Sequence, residues 1–172
     1  GKAGVSSSSG IAGAFEVREV DKVTEQLKSG VRTICPAWCA FAALKDNGSV
    51  IAWGSEVDGG RICRILGWGP SSQLHADGDE ELCARLADGV QFVCSAVDTF
   101  AALKVNGSVV LWGRGRCGHW GEAIHEAERR LENGVKTLIS TGRSFAALKQ
   151  DGSVFAWGDY GGEAYPAIQD HL

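Results

Sequence analysis

The sequence predicts a mainly β protein with short helical connectors, built as three tandem repeats of a small antiparallel sheet. Three observations carry this. Three segments align without gaps: Phe41–Gly54 (FAALKDNGSVIAWG), Phe100–Gly113 (FAALKVNGSVVLWG) and Phe145–Gly158 (FAALKQDGSVFAWG). Each contains Asn-Gly or Asp-Gly between two apolar runs, the strongest short-range hairpin signal. Glycine reaches 24 of 172 residues against 3 prolines, a composition of many turns and short strands rather than of collagen or a proline-rich disordered tail.

The repeat extends upstream of the matched run. Val31, Val90 and Val135 each lie ten residues before the phenylalanine, each after a glycine, and Leu27, Leu86 and Leu131 lie four residues before the valine. In the third copy Ile124, Ala127 and Leu131 recur at helical spacing, and Asn133-Gly134 stops the turn. Val20, Val23 and Leu27 before Gly30, and Leu82 and Leu86 before Gly89, repeat that pattern. Each repeat therefore opens with a short helix or helical turn. Val135–Ile139 reads as a first strand and Ser144–Lys149 as a second. In the second strand Phe145, Ala147 and Lys149 fall on one side and Ala146 and Leu148 on the other. After the Asp151-Gly152 turn, Val154–Trp157 returns, and the glycine that follows lets the chain turn away. One such sheet cannot bury both faces, but copies stacked at about 10 Å can. The expected repeat core is Leu27, Val31, Phe41, Leu44 and Trp53, then Leu86, Val90, Phe100, Leu103 and Trp112, then Leu131, Val135, Phe145, Leu148 and Trp157. The three tryptophans are read as packing residues between units.

The copies are offset by 59 and then 45 residues, and the additional 14 lie between Gly54 and Leu86. An insertion that spares both flanking cores maps to a loop on one face of the stack. The expected organisation is a flexible leader at 1–16 and a single repeat domain at 17–172. The repeats fall at about 17–60, 76–117 and 121–162, with an insert at about 55–80 and a truncated fourth unit at 163–172. The small, flexible residues 1–14 and the absence of methionine lead us to expect a processed N-terminus, and with it an organelle such as the chloroplast, or secretion.

Charge narrows the function classes. Seventeen basic against 21 acidic residues give a net charge of −4, and no basic run exceeds Arg129-Arg130. That is not the footprint of a nucleic-acid binder. No apolar run approaches the length of a spanning helix.

A strand followed by A-L-K-x-[DN]-G-S-V-x-x-W-G resembles the regulator of chromosome condensation repeat, over about residues 17–172. The resemblance implies a partial β-propeller or a compact propeller-like stack. The sequence departs from the family in two places. Its Gly-Gly-x-His histidine is replaced by Ala40, Thr99 and Ser144, and its G-Q-L-G after the W-G turn is missing, with Asp159-Tyr160-Gly161-Gly162 in the last copy. The family usually builds seven blades, whereas this chain holds three and part of a fourth. An open sheet edge is a pairing hazard unless covered, so a protein partner or a capping insert is expected. The 55–85 region and residues 1–19 are the candidate caps.

The six cysteines, Cys35, Cys39, Cys63, Cys83, Cys94 and Cys117, include no C-x-x-C pair, which disfavours zinc. Cys35 and Cys94 share the register of Ile139 and read as free buried thiols, while Cys63 and Cys83 bracket the insert and could staple it. No phosphate loop, HExxH or GxSxG motif is present. Asp77–Glu81 lacks the ligand spacing of a calcium loop and reads as an acidic helix start. No catalytic residue, metal or cofactor is expected. The candidate partner-contact residues are Trp68, Arg114, Arg116, His119, Trp120 and Tyr160, which lie outside the repeated core. The expected function is a non-enzymatic protein–protein interaction or structural accessory subunit on a larger assembly, with an organellar, photosynthetic membrane complex as one setting. The alternative is a secreted inhibitor or recognition module of the propeller type. Guanine-nucleotide exchange is disfavoured by the acidic charge and the missing family motifs.

Overall fold

The computed structural model describes residues 23–55, 59–60, 78–113 and 127–158. Among them the chain forms three separate three-stranded antiparallel sheets in tandem. The first holds β1 (Val31–Pro36), β2 (Ala40–Lys45) and β3 (Val50–Gly54). The second holds β4 (Val90–Ser95), β5 (Thr99–Lys104) and β6 (Val109–Gly113), and the third β7 (Val135–Ser140), β8 (Ser144–Lys149) and β9 (Val154–Gly158). Helix α1 (Gly78–Leu86) leads into the second sheet, and helical turns at 23–27 and 127–130 lead into the other two. The fold is the mainly β repeat stack with helical connectors that the sequence predicts.

The same local chemistry builds each sheet. In every hairpin the Asn or Asp side chain folds back on the serine two residues on. Asn106 Oδ1, for instance, accepts from the Ser108 N–H at 3.0 Å and from its hydroxyl at 2.7 Å. Asn47 with Ser49 and Asp151 with Ser153 repeat the pair. Phenylalanine and tryptophan sit directly opposite each other on the second and third strands, and their rings stack. The ring centroids are 5.4 Å apart for Phe41–Trp53, 5.0 Å for Phe100–Trp112 and 5.2 Å for Phe145–Trp157. The glycine after each tryptophan passes too close to the neighbouring strand for a side chain. A Cβ on Gly54, at φ 107°, would lie 2.5 Å from the Cys39 carbonyl oxygen.

The lysine of each A-L-K run ties its sheet to the preceding helical segment. Lys104 Nζ donates to the Arg85 carbonyl at 2.8 Å, at the end of α1, and lies 3.6 Å from Asp88 Oδ1. Lys45 donates to the carbonyls of Gln26 and Ser29, and Lys149 to that of Arg130. A cation is thereby held at the negative end of each helical segment, where carbonyls lack intrahelical donors.

Packing is sheet on sheet, and the middle sheet is covered on both faces. Phe100, Ala102, Val110 and Trp112 pack against Ala40, Ala42, Leu44 and Val50 of the first sheet, together with Leu82 and Leu86 of α1. From the opposite face Ala101, Leu103, Val109 and Leu111 meet Phe145, Ala147, Phe155 and Trp157 of the third, with Ala127 and Leu131. The alternating alanines keep the strands close enough for the large rings to seat.

Candidate interaction surfaces

Repeat-equivalent positions make equivalent contacts, so each junction between sheets has two distinct sides. One side carries the phenylalanine, the tryptophan and a first-strand aliphatic (Val93 in the second sheet, Leu138 in the third). The other carries the alanines, the leucine and the valines of the neighbouring sheet. At the two ends of the stack one side stands alone among the described residues. The first sheet presents Ile34, Phe41, Ile51 and Trp53 in the registers of Val93, Phe100, Val110 and Trp112. The third presents Ile139, Ala146, Leu148, Val154 and Ala156.

Burial follows that placement. Phe100 and Phe145 are fully covered, whereas Phe41 is 42% exposed. Ile34 is 54% exposed and Ile139 64% exposed, although their equivalents Val93 and Cys94 are buried. Leu27, Val31 and Trp53 in the first copy, and Leu148 in the third, are half-buried, while Leu44, Leu86, Val90, Leu103, Trp112, Leu131, Val135 and Trp157 are buried. The identical phenylalanine thus has two surroundings, covered where a sheet precedes its own, as for Phe100 and Phe145, and open in the first sheet.

The turns joining first and second strands form a rim along one side. Trp38, in the first of them, is the most exposed large apolar side chain among the described residues, at 75%. Its N–H donates to the Val97 carbonyl at 2.8 Å, and the Val97 N–H to the Gly142 carbonyl at 2.8 Å, so the three turns are laced in sequence.

Cys35 and Cys94 are free thiols near the first-strand seam, and Cys39 is free and exposed. The Cys35 thiol donates to Ser95 Oγ at 3.3 Å, and Ser95 Oγ donates to the Pro36 carbonyl at 2.5 Å. Burial pushes the Cys94 thiol up to about 12, with the nearby Cys35 adding to the rise and a hydrogen bond with Ser140 opposing it. Burial also raises Cys35. Both are protonated and unreactive at neutral pH. Cys83, on α1, is disulfide-bonded; Cys63 and Cys117 lie outside the described residues.

Of the insert, Gly59 and Gly60 are described. The Gly59 carbonyl accepts from Trp112 Nε1 at 3.1 Å, so the start of the insert seats on the second sheet. The partner-contact residues expected from the sequence, Trp68, Arg114, Arg116, His119, Trp120 and Tyr160, lie outside the described residues. Sequence reading passed over Trp38, Ile34 and Ile139, although Trp38 stands in a turn that the repeat places at the surface. Among the described residues no helix is long and apolar enough to cross a membrane, and no group of three acidic, histidine or cysteine side chains is placed to hold a metal.

Each of the three sheets, stacked face to face, is built on the A-L-K-x-[DN]-G-S-V-x-x-W-G run that resembles the regulator of chromosome condensation repeat. No protein-family model and no curated protein matches the chain. Among solved structures it is similar to human WBSCR16, at 20% identity and TM-score 0.48 over 78% of this chain and 35% of that one. It is similar also to yeast RCC1 (Prp20), solved with Kap60 bound, at 16% identity and TM-score 0.47 over 76% and 30%. A third is the ectodomain of the Physcomitrella patens receptor kinase CR4, at 17% identity and TM-score 0.43 over 79% and 30%. The chain spans about a third of the length of each.

Proposed function

We propose that this chain is a protein-interaction module, an accessory subunit that docks on a larger assembly through surfaces its own fold leaves uncovered. The observation that carries this reading is the distribution of exposed apolar side chains. Of the six exposed large apolar residues among those described, Ile34, Trp38, Phe41 and Ile139, 42–75% exposed, lie at the two ends and the rim of the stack, and Phe92 and Val105 on the middle sheet. Apolar surface concentrated in this way marks contact with another macromolecule more often than it serves a free monomer. An organellar membrane complex, including a photosynthetic one, is one setting for such a subunit.

The experiment is native co-purification of the full chain from its source, followed by chemical cross-linking. A stoichiometric complex with another protein, cross-linked near Trp38 or the sheet ends, supports the reading. Recovery of the chain without any other protein contradicts it.

One observation favours the second reading, a secreted recognition module. Cys83 is in a disulfide, and such bonds persist mainly in oxidising compartments. Fractionation separates the two, since the module would be found outside the cell with Cys83 oxidised.

A further inference from the structure

The two ends of the stack match, register by register, the two sides of an inner junction. At each inner junction the backbone makes the same pair of bonds. A rim N–H of one sheet donates to the rim carbonyl of the next: Trp38 to Val97, then Val97 to Gly142. The first-strand valine of the next sheet donates back to the hairpin glycine: Val90 to Gly48 at 2.9 Å, and Val135 to Gly107 at 3.0 Å. Continued once more, the series would use the N–H of Gly142 and the carbonyl of Gly152 at one end, and the carbonyl of Trp38 and the N–H of Val31 at the other. Gly142 and Gly152 are exposed, with nothing among the described residues within 4 Å of where a Cβ would stand. The equivalent point on Gly48 is 2.9 Å from the Gly89 nitrogen.

We propose that a second copy of this chain occupies these faces, head to tail, with the third sheet of each copy packed on the first sheet of the other. The side chains fit that pairing. Among the described residues Ile34 and Phe41 lack the alanine-and-leucine face that covers Val93 and Phe100, and the third sheet offers such a face in Ala146 and Leu148. The seam fits as well. Inside the chain Cys35 faces Ser95 and Cys94 faces Ser140, polar pairs that exchange hydrogen bonds. Between copies the same register would set exposed Ile139 against Pro36, an apolar pair. The copy number follows from closure. Propellers hold about 4–8 blades. Two copies, each with three sheets among its described residues, supply six, within that range, and three copies would supply nine. A head-to-tail contact that closes on two copies satisfies both ends of each and leaves no growing end.

The pairing goes beyond the recruitment of a different protein, and its test is separate. The full chain is measured by sedimentation velocity and light scattering between about 1 and 100 µM, a range that resolves dissociation constants typical of specific dimers. The expected mass is twice 18.2 kDa. Ile139→Lys and Phe41→Lys, at positions already exposed, are each expected to raise the dissociation constant about thirtyfold or more by forcing a charge into an apolar contact. Val105→Lys, in a hairpin turn away from both faces, is expected to leave it unchanged. Mixing the first two variants restores one intact junction and is expected to give a heterodimer, which a face-to-face dimer would not do. A monomer of 18.2 kDa at every concentration overturns the proposal. So does a dimer indifferent to both charges, a pair of variants that do not combine, or growth into filaments. If a variant loses its circular-dichroism signature, the mass of the unaltered chain decides alone.

Discussion

Gly48, Gly107 and Gly152 occupy the same hairpin position in the three sheets, at φ 81°, 81° and 87°. Replacing each by alanine therefore separates backbone strain from crowding. The strain is common to all three, about 1–2 kcal/mol for an L residue held in the left-handed region. Crowding differs. A Cβ on Gly48 would lie 2.9 Å from the Gly89 nitrogen and one on Gly107 3.1 Å from the Gly134 nitrogen, in both cases backbone that has little room to retreat. Forced overpacking of this kind adds about 1–3 kcal/mol. On Gly152 the Cβ meets nothing among the described residues within 4 Å. In a monomeric Ile139→Lys background, Gly48→Ala and Gly107→Ala should then cost about 2–5 kcal/mol and Gly152→Ala about 1–2. For a chain of this size, each kcal/mol lowers Tm by about 2–4 °C. Urea unfolding at constant m-value gives the three numbers. Equal losses at all three sites would refute the reasoning, because they would place comparable structure over Gly152 within a single copy. In the unaltered background Gly152→Ala should also weaken self-association, since its carbonyl and turn then face the second copy.

Further outcomes follow from particular contacts. Cys94 is raised to about 12 against an ordinary 9.0, so between those values the unfolded chain loses a proton that the folded chain keeps. Stability should fall by about 1.4 kcal/mol per pH unit as pH rises through that window, and Cys94→Val, matching the aliphatic at Ile139, should flatten the fall in pH-dependent urea melts. Thiol titration of the native chain at pH 8 should label Cys39 quickly and Cys94 only on unfolding. Lys104→Met should cost about 1.5–3 kcal/mol by leaving carbonyls at the end of α1 without a charged donor, whereas Lys136→Met, at an exposed position, should change urea stability by less than about 0.5 kcal/mol. Trp112→Phe removes the bond to the Gly59 carbonyl and should cost about 1–3 kcal/mol. Limited proteolysis should then cut the insert faster, and an unchanged cutting rate would show that this bond does not hold it.

Much of the architecture is legible in the sequence because the repeat states it three times. The strands around Phe145 and Val154, the Asp151-Gly152 turn and the alternation of faces are all local consequences of residue spacing. The third-copy first strand runs one residue beyond the expected Val135–Ile139, to Ser140. Two features lay outside local reading. The lysine of each A-L-K run reads as one side of a strand, yet its partner is a backbone carbonyl 19 residues earlier in all three copies, which side-chain patterning does not register. Burial is the other. Phe41, Phe100 and Phe145 stand in nearly the same sequence, and only their order in the stack decides that the first is uncovered. The same holds for Ile34 and Ile139, which a repeat alignment assigns to covered positions and the ends of the stack expose. Residues around Arg114 and Trp120 differ from the repeat, whereas exposed Ile34, Phe41 and Ile139 are repeat positions without a neighbouring sheet among the described residues.

Amide hydrogen exchange at Val31 and Gly142 tests most directly whether the stack ends are halves of one junction. Their equivalents Val90, Val135 and Val97 are bonded across inner junctions and serve as internal references. At concentrations where the chain is paired, the Val31 and Gly142 amides should be protected nearly as well as these. Protection should be lost on dilution and in Ile139→Lys, while Val90, Val97 and Val135 keep theirs. Rapid exchange at Val31 and Gly142 under all conditions, beside protected Val90 and Val97, would contradict it.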